Sequence, residues 1–470
     1  MLPNNFQKYL FRLVYFAAAV FYFLTVQESY SQNDKGYEYA EKKSGELFRN
    51  KKWDELIVFG NKTLKDKIDF YYLRVRLGTA YYEKNQYLYA IENFEKAKDF
   101  GYEESSVMEM LYFSYLKTGR DEDAEYIFGR LPETNKYRIR PLNNAFINNA
   151  VTISGIGLSN DIKNNGNAST ITGNNGNIYS EQTLNGNKFY INGGIKQIPV
   201  ERVSVFYDYT YINQEKEKQY CIDSNLYSDN YSEIQNRFYN KLEILAGRGF
   251  VVSPAFQYIN KRYTTFFLNY DSIAEYSKYD NTSGKVNFSF NDEETNQDDF
   301  VLSMELTKYV SLFRLALNGS FSYLNEYHQS QTGISFTYFP NGKTDFYLTT
   351  NAVLHFQNNV TNLIGTQLFG GRILKNIYTN AYVTFGKINN FNEQNAFTVY
   401  NNPDNITLNF GAEIKYNILE NFSAYFLYSN QQHERDIVNY KNSGTGNSPV
   451  SSEVLTYQLN SISAGLKYTF

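Results

Sequence analysis

One cysteine, three histidines and eight prolines are all that 470 residues hold of those types. A lone thiol, Cys221, builds no disulfide framework, so a small cross-linked secreted scaffold is excluded. His328, His355 and His433 stand well apart with no cysteine companion, and no metal-ligand spacing is present. Lysine and arginine number 45 against 49 acidic residues, for a net charge of −4 with no basic tract, so the electrostatic footprint of a nucleic-acid binder is missing. Motifs for cradling phosphate, for a nucleophile elbow and for binding a dinucleotide are missing too; the sequence indicates no enzyme, no metal and no cofactor. Beyond the first thirty residues no apolar run approaches the ~20 residues of a spanning helix, and mean hydropathy is −0.52. A polytopic helical membrane protein is excluded.

What is abundant is aromatic: 45 Tyr and 37 Phe in a chain that is polar on average, so many rings must stand singly between polar neighbours. The one apolar run lies at the start. Lys8 and Arg12 precede Leu13 to Val26, and Ser29-Tyr30-Ser31 supplies small residues at cleavage spacing, which predicts a signal peptide over 1–31 and a mature chain from about Gln32.

Residues 32–142 form the next expected domain. Apolar positions there recur at three and four residues, the period of a helix. Self-comparison at a period of 34 aligns Leu77, Tyr81, Ala90 and Phe94 with Leu111, Tyr115, Ala124 and Phe128, and Trp53 with Tyr87. This set resembles the tetratricopeptide repeat. The resemblance implies a short helical solenoid that docks protein partners, with Trp53, Tyr81, Tyr82 and Tyr115 as candidate contacts.

From residue 143 to 470 the period changes to two. Ile462, Ala464, Leu466, Tyr468 and Phe470 oppose Ser461, Ser463, Gly465, Lys467 and Thr469, and 406–417 and 346–356 alternate likewise. Short connections near 199–201, 340–343, 374–376 and 419–421 intersperse with long polar stretches at about 160–186, 215–232, 391–404 and 436–452. Short turns at one end and long loops at the other, with an apolar outside and a polar lumen, predict an antiparallel transmembrane β-barrel. About 16 strands are expected, with 14 as the alternative because the segments near 256 and 266 also read as one strand. By parity Asp208, Glu305, Arg314, Asp345, His355, Glu413, Lys415 and Lys467 face the lumen. Those charges suit either a mixed hydrophilic conduit or pairs that brace a closed interior. Tyr468 and Phe470 resemble the carboxy-terminal assembly signal of outer-membrane barrels.

A tetratricopeptide-like domain fused to such a barrel resembles polysaccharide export porins and the barrels of outer-membrane assembly or secretion machinery. The resemblance implies an α + β membrane protein in the outer membrane of a Gram-negative bacterium, with its helices in the periplasm. It further implies a non-enzymatic subunit of an assembly or export complex, whose partners are the lipid bilayer and periplasmic or outer-membrane proteins. An exopolysaccharide export porin or a general porin is the alternative.

Overall fold

The computed structural model describes residues 34–140, 147–162, 177–222, 225–271, 287–442 and 447–470. The expected signal peptide and the centre of the 160–186 stretch lie outside the described residues. The chain divides into two compact units, one reaching Asn85 and including Ala90–Glu103, the other made of Gln86–Tyr89 and Glu104–Phe470.

Seven helices come first among the described residues: α1 (Asp34–Arg49), α2 (Trp53–Lys65), α3 (Tyr71–Glu83), α4 (Tyr87–Lys98), α5 (Ser105–Lys117), α6 (Asp121–Arg130) and α7 (Glu133–Ile139). The starts of α2, α4 and α6 fall 34 residues apart, as do those of α3 and α5. Small residues permit close approach: a methyl group on Gly78 would collide with the Phe94 ring, and one on Gly60 with Leu77. Helix α5 stops where Gly119 takes a φ of +70°, a conformation glycine adopts without a Cβ penalty.

The second region is a closed antiparallel barrel. Its strands are β1 (Asn149–Ser159), β2 (Asn177–Val200), β3 (Val203–Ile222), β4 (Asn225–Gly247), β5 (Phe250–Asp271), β6 (Asn287–Val310), β7 (Phe313–Leu324), β8 (Tyr327–Tyr338), β9 (Phe346–Gln357), β10 (Val360–Leu374), β11 (Ile377–Ile388), β14 (Asn405–Leu419), β15 (Phe422–Asn442) and β16 (Asn447–Thr469). Between β11 and β14 a two-stranded hairpin, β12 (Phe391–Glu393) and β13 (Thr398–Tyr400), forms a separate sheet that is not part of the wall. The wall therefore has 14 strands. The count falls from 16 because the segments near 256 and 266 are one strand, β5, and those near 287 and 303 are one strand, β6. Closure leaves no backbone edge for lipid to desolvate. Both wall ends lie at the short-turn rim, where Asn149 pairs with Thr469 and the Phe470 N–H donates to the Asn148 carbonyl at 2.9 Å.

The outside carries the apolar parity: Phe238, Leu302, Ile334, Phe385 and Phe426 are each more than two-fifths exposed. In water such a belt would be a liability, whereas hydrocarbon accepts it. The alternation breaks at Ile406. A bulge between Ile406 and Leu408 turns Ile406 inward, where it is buried against Ile364, Ile388 and Phe391.

Two expected loops are strands. Residues 215–222 and 225–232 remain paired to the tip of the β3–β4 hairpin, and β15 and β16 remain paired to Asn442 and Asn447. Polar composition was a poor guide because these extensions are too tall to lie in hydrocarbon, so water-compatible side chains suit them. At the same end β7–β8 and β9–β10 close in two residues, Asn325-Glu326 and Asn358-Asn359, all with positive φ. This is the geometry a tight hairpin turn requires. Among the described residues, unequal strand length thus accounts for two of the four expected long loops.

Candidate functional site

The stretch 391–404, expected as an outer loop, instead folds into the lumen. In the circular strand order β11 and β14 lie seven places from β4 and β5, so the hairpin leaves one wall and meets the diametrically opposite one. Fourteen strands at ~4.8 Å spacing and ~40° tilt give a backbone diameter of roughly 28 Å. The extended run from Ile388 to Asn395 reaches about 23 Å, enough to bring the tip across.

Apolar packing anchors it at both ends. Ala396 and Val399 sit with Tyr239, Ala255, Ile259, Val301 and Leu324 of the far wall, and Phe397 packs against the same cluster. Phe391 packs at the root with Ile364, Ile388 and Ile406. Polar bonds complete the closure. Arg237 donates to the Val399 carbonyl at 3.1 Å and to Asn401 Oδ1 at 2.9 Å. Tyr239 donates to the Asn395 carbonyl at 3.0 Å, and Gln257 to the Phe397 carbonyl at 3.2 Å. Gln331 and Asn392 exchange two bonds of 3.0 Å. The tip residues Gln394, Asn395 and Ala396 all have φ between 54° and 67°. For residues with a Cβ this is costly backbone, held in place by the far-wall contacts.

Below the hairpin, toward the short-turn rim, lies a cavity of about 580 Å³. Hydroxyl and amide side chains dominate its lining, with three carboxylates, Glu305, Glu393 and Glu413, and one guanidinium, Arg314. A second cavity of about 180 Å³ shares Tyr347, Asn380 and Glu413 with it and reaches Thr344 in the rim turn. The hairpin forms the ceiling through Phe391, Asn392, Gln394 and Asn395.

Helices α5 and α6 are tied to the same rim. Lys196 of β2 meets Asp121 at 3.1 Å, Glu122 at 3.0 Å and Glu243 at 3.2 Å. Ser204 donates to Glu122 at 2.7 Å, and the Gly249 N–H donates to Asp123 at 3.3 Å. The Arg120 guanidinium lies over the rings of Tyr115 and Tyr309 at 4.5 and 4.9 Å. Burial raises the Glu122 carboxyl above its ordinary range; Lys196 opposes the rise and the negative charge of Glu243 adds to it.

The residues singled out from sequence fall in different places. Glu305, Arg314 and Glu413 line the larger cavity, and Lys415 lines the smaller one with its ammonium near the rings of Tyr378 and Tyr425. Asp208 is buried on β3, accepting from Asn192 at 3.1 Å and Thr210 at 2.9 Å. Lys467 is half-buried on β16, in register with Val151 and Ser423. Asp345 is not on a strand: it lies in the turn before β9 and accepts from Arg372 at 2.9 Å. His355 is buried, edge-on to Phe391 of the hairpin at 6.0 Å, and lines neither cavity. Tyr468 and Phe470 lie exposed at the short-turn rim, their rings 4.8 Å apart.

Among the four candidate docking aromatics, Tyr81 and Tyr115 are core residues, 6 % and 2 % exposed. Asn61 donates to the Tyr81 hydroxyl at 2.7 Å. Trp53 packs edge-on to Phe48 at 5.7 Å, and Tyr82 is half-buried. Positions that recur with the repeat recur because they fill the core, so the docking assignment is corrected for Tyr81 and Tyr115. Sequence reasoning also missed the hairpin, although Phe391, Phe397, Val399 and Tyr400 in an expected surface loop were a signal of it.

No family model and no curated protein matches the chain. Among solved structures it is similar to a Pseudomonas aeruginosa FadL homologue, at 7 % identity over 69 % of this chain and 90 % of that one, TM-score 0.44. It is similar to the Pseudomonas putida toluene transporter TodX at 5 % identity over 71 % and 92 %, TM-score 0.44. A third likeness is to the translocator domain of autotransporter NalP from Neisseria meningitidis, at 11 % identity over 72 % and 95 %, TM-score 0.29. These are likenesses of barrel shape alone.

Proposed function

We propose that this chain is a non-enzymatic outer-membrane barrel held shut by its own hairpin, and that it serves an envelope assembly or export complex through tetratricopeptide-like helices on the periplasmic side. The observation that carries the reading is the hairpin crossing from β11 and β14 to β4 and β5. A general porin needs a water-filled path, and here an apolar cluster and a set of buried hydrogen bonds occupy that path. The 34-residue spacing of helix starts supports the repeat, and the shared rim of α6 and both wall ends supports a periplasmic position. Hydrocarbon cargo, the class named for TodX, is disfavoured because the cavity is lined mainly by hydroxyl and amide groups.

Planar-bilayer recording tests the closure. The intact protein is expected to be electrically silent, and replacing residues 390–402 with a short Gly/Ser linker to open a stable pore. A large stable conductance from the intact protein overturns the reading. Removing residues 34–103 is expected to abolish co-purification of envelope partners while leaving a heat-modifiable barrel. Partners that stay bound after that deletion reduce α1–α4 to a spacer.

A further inference from the structure

Strand β1 stops at Ser159 while its neighbour β2 continues upward. Pairing of β2 with β1 ends at Lys188, and higher up Asn177–Glu181 pair with Val438–Lys441 of β15. A two-stranded ribbon coils strongly, which brings the outer edge of β15 round to β2. Between these stretches residues 182–187 of β2 have no strand on that side among the described residues. Alternate residues of an antiparallel strand point their N–H and C=O groups to the same edge, so Thr183 and Asn185 both need partners there.

A side-chain pair supplies them. Arg435 donates to the Thr183 carbonyl at 2.8 Å, and the Asn185 N–H donates to Asp161 Oδ2 at 2.8 Å. Arg435 and Asp161 hold each other as a fork, at 2.6 and 3.0 Å, and their side chains are 7 % and 6 % exposed. The pair stands in for a missing rung of the wall. Asn185 also turns its side chain to the root of the hairpin, where Nδ2 donates to Asp404 at 3.0 Å and to the Tyr457 hydroxyl at 2.7 Å. Tyr457 in turn donates to Asp404 at 2.8 Å. One residue therefore touches the wall clasp through its backbone and the plug through its amide.

We propose that Asp161, Arg435 and Asn185 are positioning residues that latch the plug, so that parting the wall above β1 frees the hairpin and the two open together. The inference rests on reading the hairpin as the plug and places its release outside the hairpin itself. Val399, 4 % exposed beneath the tip, gives the readout: Val399→Cys in the full chain with Cys221→Ser, labelled by a membrane-impermeant maleimide. Asp161→Ala removes the clasp. Asn185→Leu keeps the N–H to Asp161 and removes only the amide's bonds to Asp404 and Tyr457.

Each variant is expected to speed labelling about tenfold or more, the scale of a lost buried hydrogen bond. Glu122→Gln, which alters a buried contact at the opposite rim, is expected to leave the labelling rate unchanged. If Asp161→Ala does not assemble, Asn185→Leu decides alone. A cysteine that stays protected in Asn185→Leu overturns the latch. Should the linker replacement of 390–402 nevertheless open a pore, the plug reading stands without it.

Discussion

The barrel has a tall wall and a short one. Strands β2–β6, β15 and β16 run 20–24 residues, whereas β7–β11 and β14 run 12–15. A tilted strand needs about 9–11 residues to cross the hydrocarbon, so the short wall is little more than membrane-deep and the tall wall roughly twice that. Their interiors differ accordingly. Inside the tall wall are buried ion pairs, Lys216–Glu233 at 3.2 Å, Lys261–Asp299 at 3.3 Å and Arg435–Asp161 at 2.6 Å. Inside the short wall are hydroxyl pairs such as Thr337–Thr349 at 2.9 Å and Thr366–Thr384 at 3.0 Å. The hairpin springs from the short wall and rests mainly on the tall one.

Cutting the strands breaks the comparison most directly. Removing residues 217–232 is expected to leave an assembled barrel, because the membrane-crossing part of β3 and β4 survives and Lys216–Glu233 becomes the new tip. Removing a comparable length centred on the β8–β9 turn is expected to abolish assembly, since too little strand remains to cross. Heat-modifiable mobility in detergent gels separates the outcomes, and an assembled β8–β9 deletion would show that the short wall is not the membrane-limiting one.

Single side chains sharpen it. Lys261→Met leaves Asp299, which is fully buried, without its ion-pair partner. Stranding one charge of a buried pair costs about 3–5 kcal/mol. Thr366→Val removes one neutral hydrogen bond and costs about 1 kcal/mol. Urea unfolding in detergent is expected to rank them in that order. Equal midpoints would mean that water or another group already compensates Asp299.

These differences explain how much of the molecule could be read from its residues. The period-two runs ending in Tyr468 and Phe470 were legible because each faces a uniform medium on either side. The change from helix to strand was legible because the period itself changed, whereas the compact units divide at Glu103/Glu104, inside the helical run, where the period gives no sign. Strand tops were not, since above the membrane the outer face is polar and alternation vanishes; 215–232 reads as loop by composition and is strand by pairing. The parity argument likewise set Glu305 and Arg314 on the lumen face, where they line the larger cavity, but could not see Asp161, Asn185 or Arg435, whose contacts depend on a strand that ends early. The repeat period located the helices, but periodicity marks what packs, which is why Tyr81 and Tyr115 proved to be core.

The weakest expected effect concerns the rim, where α6 meets the tall wall. The Glu122 carboxyl lies in its folded setting above its ordinary range because burial outweighs the attraction of Lys196. A carboxyl raised in this way binds its proton more tightly folded than unfolded. Its contribution is therefore fully present below the ordinary carboxylate range near 4.5 and is lost as pH rises through the raised value. Hydrogen exchange of residues 105–139, corrected for intrinsic rates, is expected to show protection declining across that window. Glu122→Gln fixes a neutral side chain that still accepts from Ser204, so it is expected to flatten the decline without detaching α6. A slope unchanged in Glu122→Gln would show that Glu122 is not the source of the pH response and would make its contact with Lys196 and Ser204 chiefly a matter of packing.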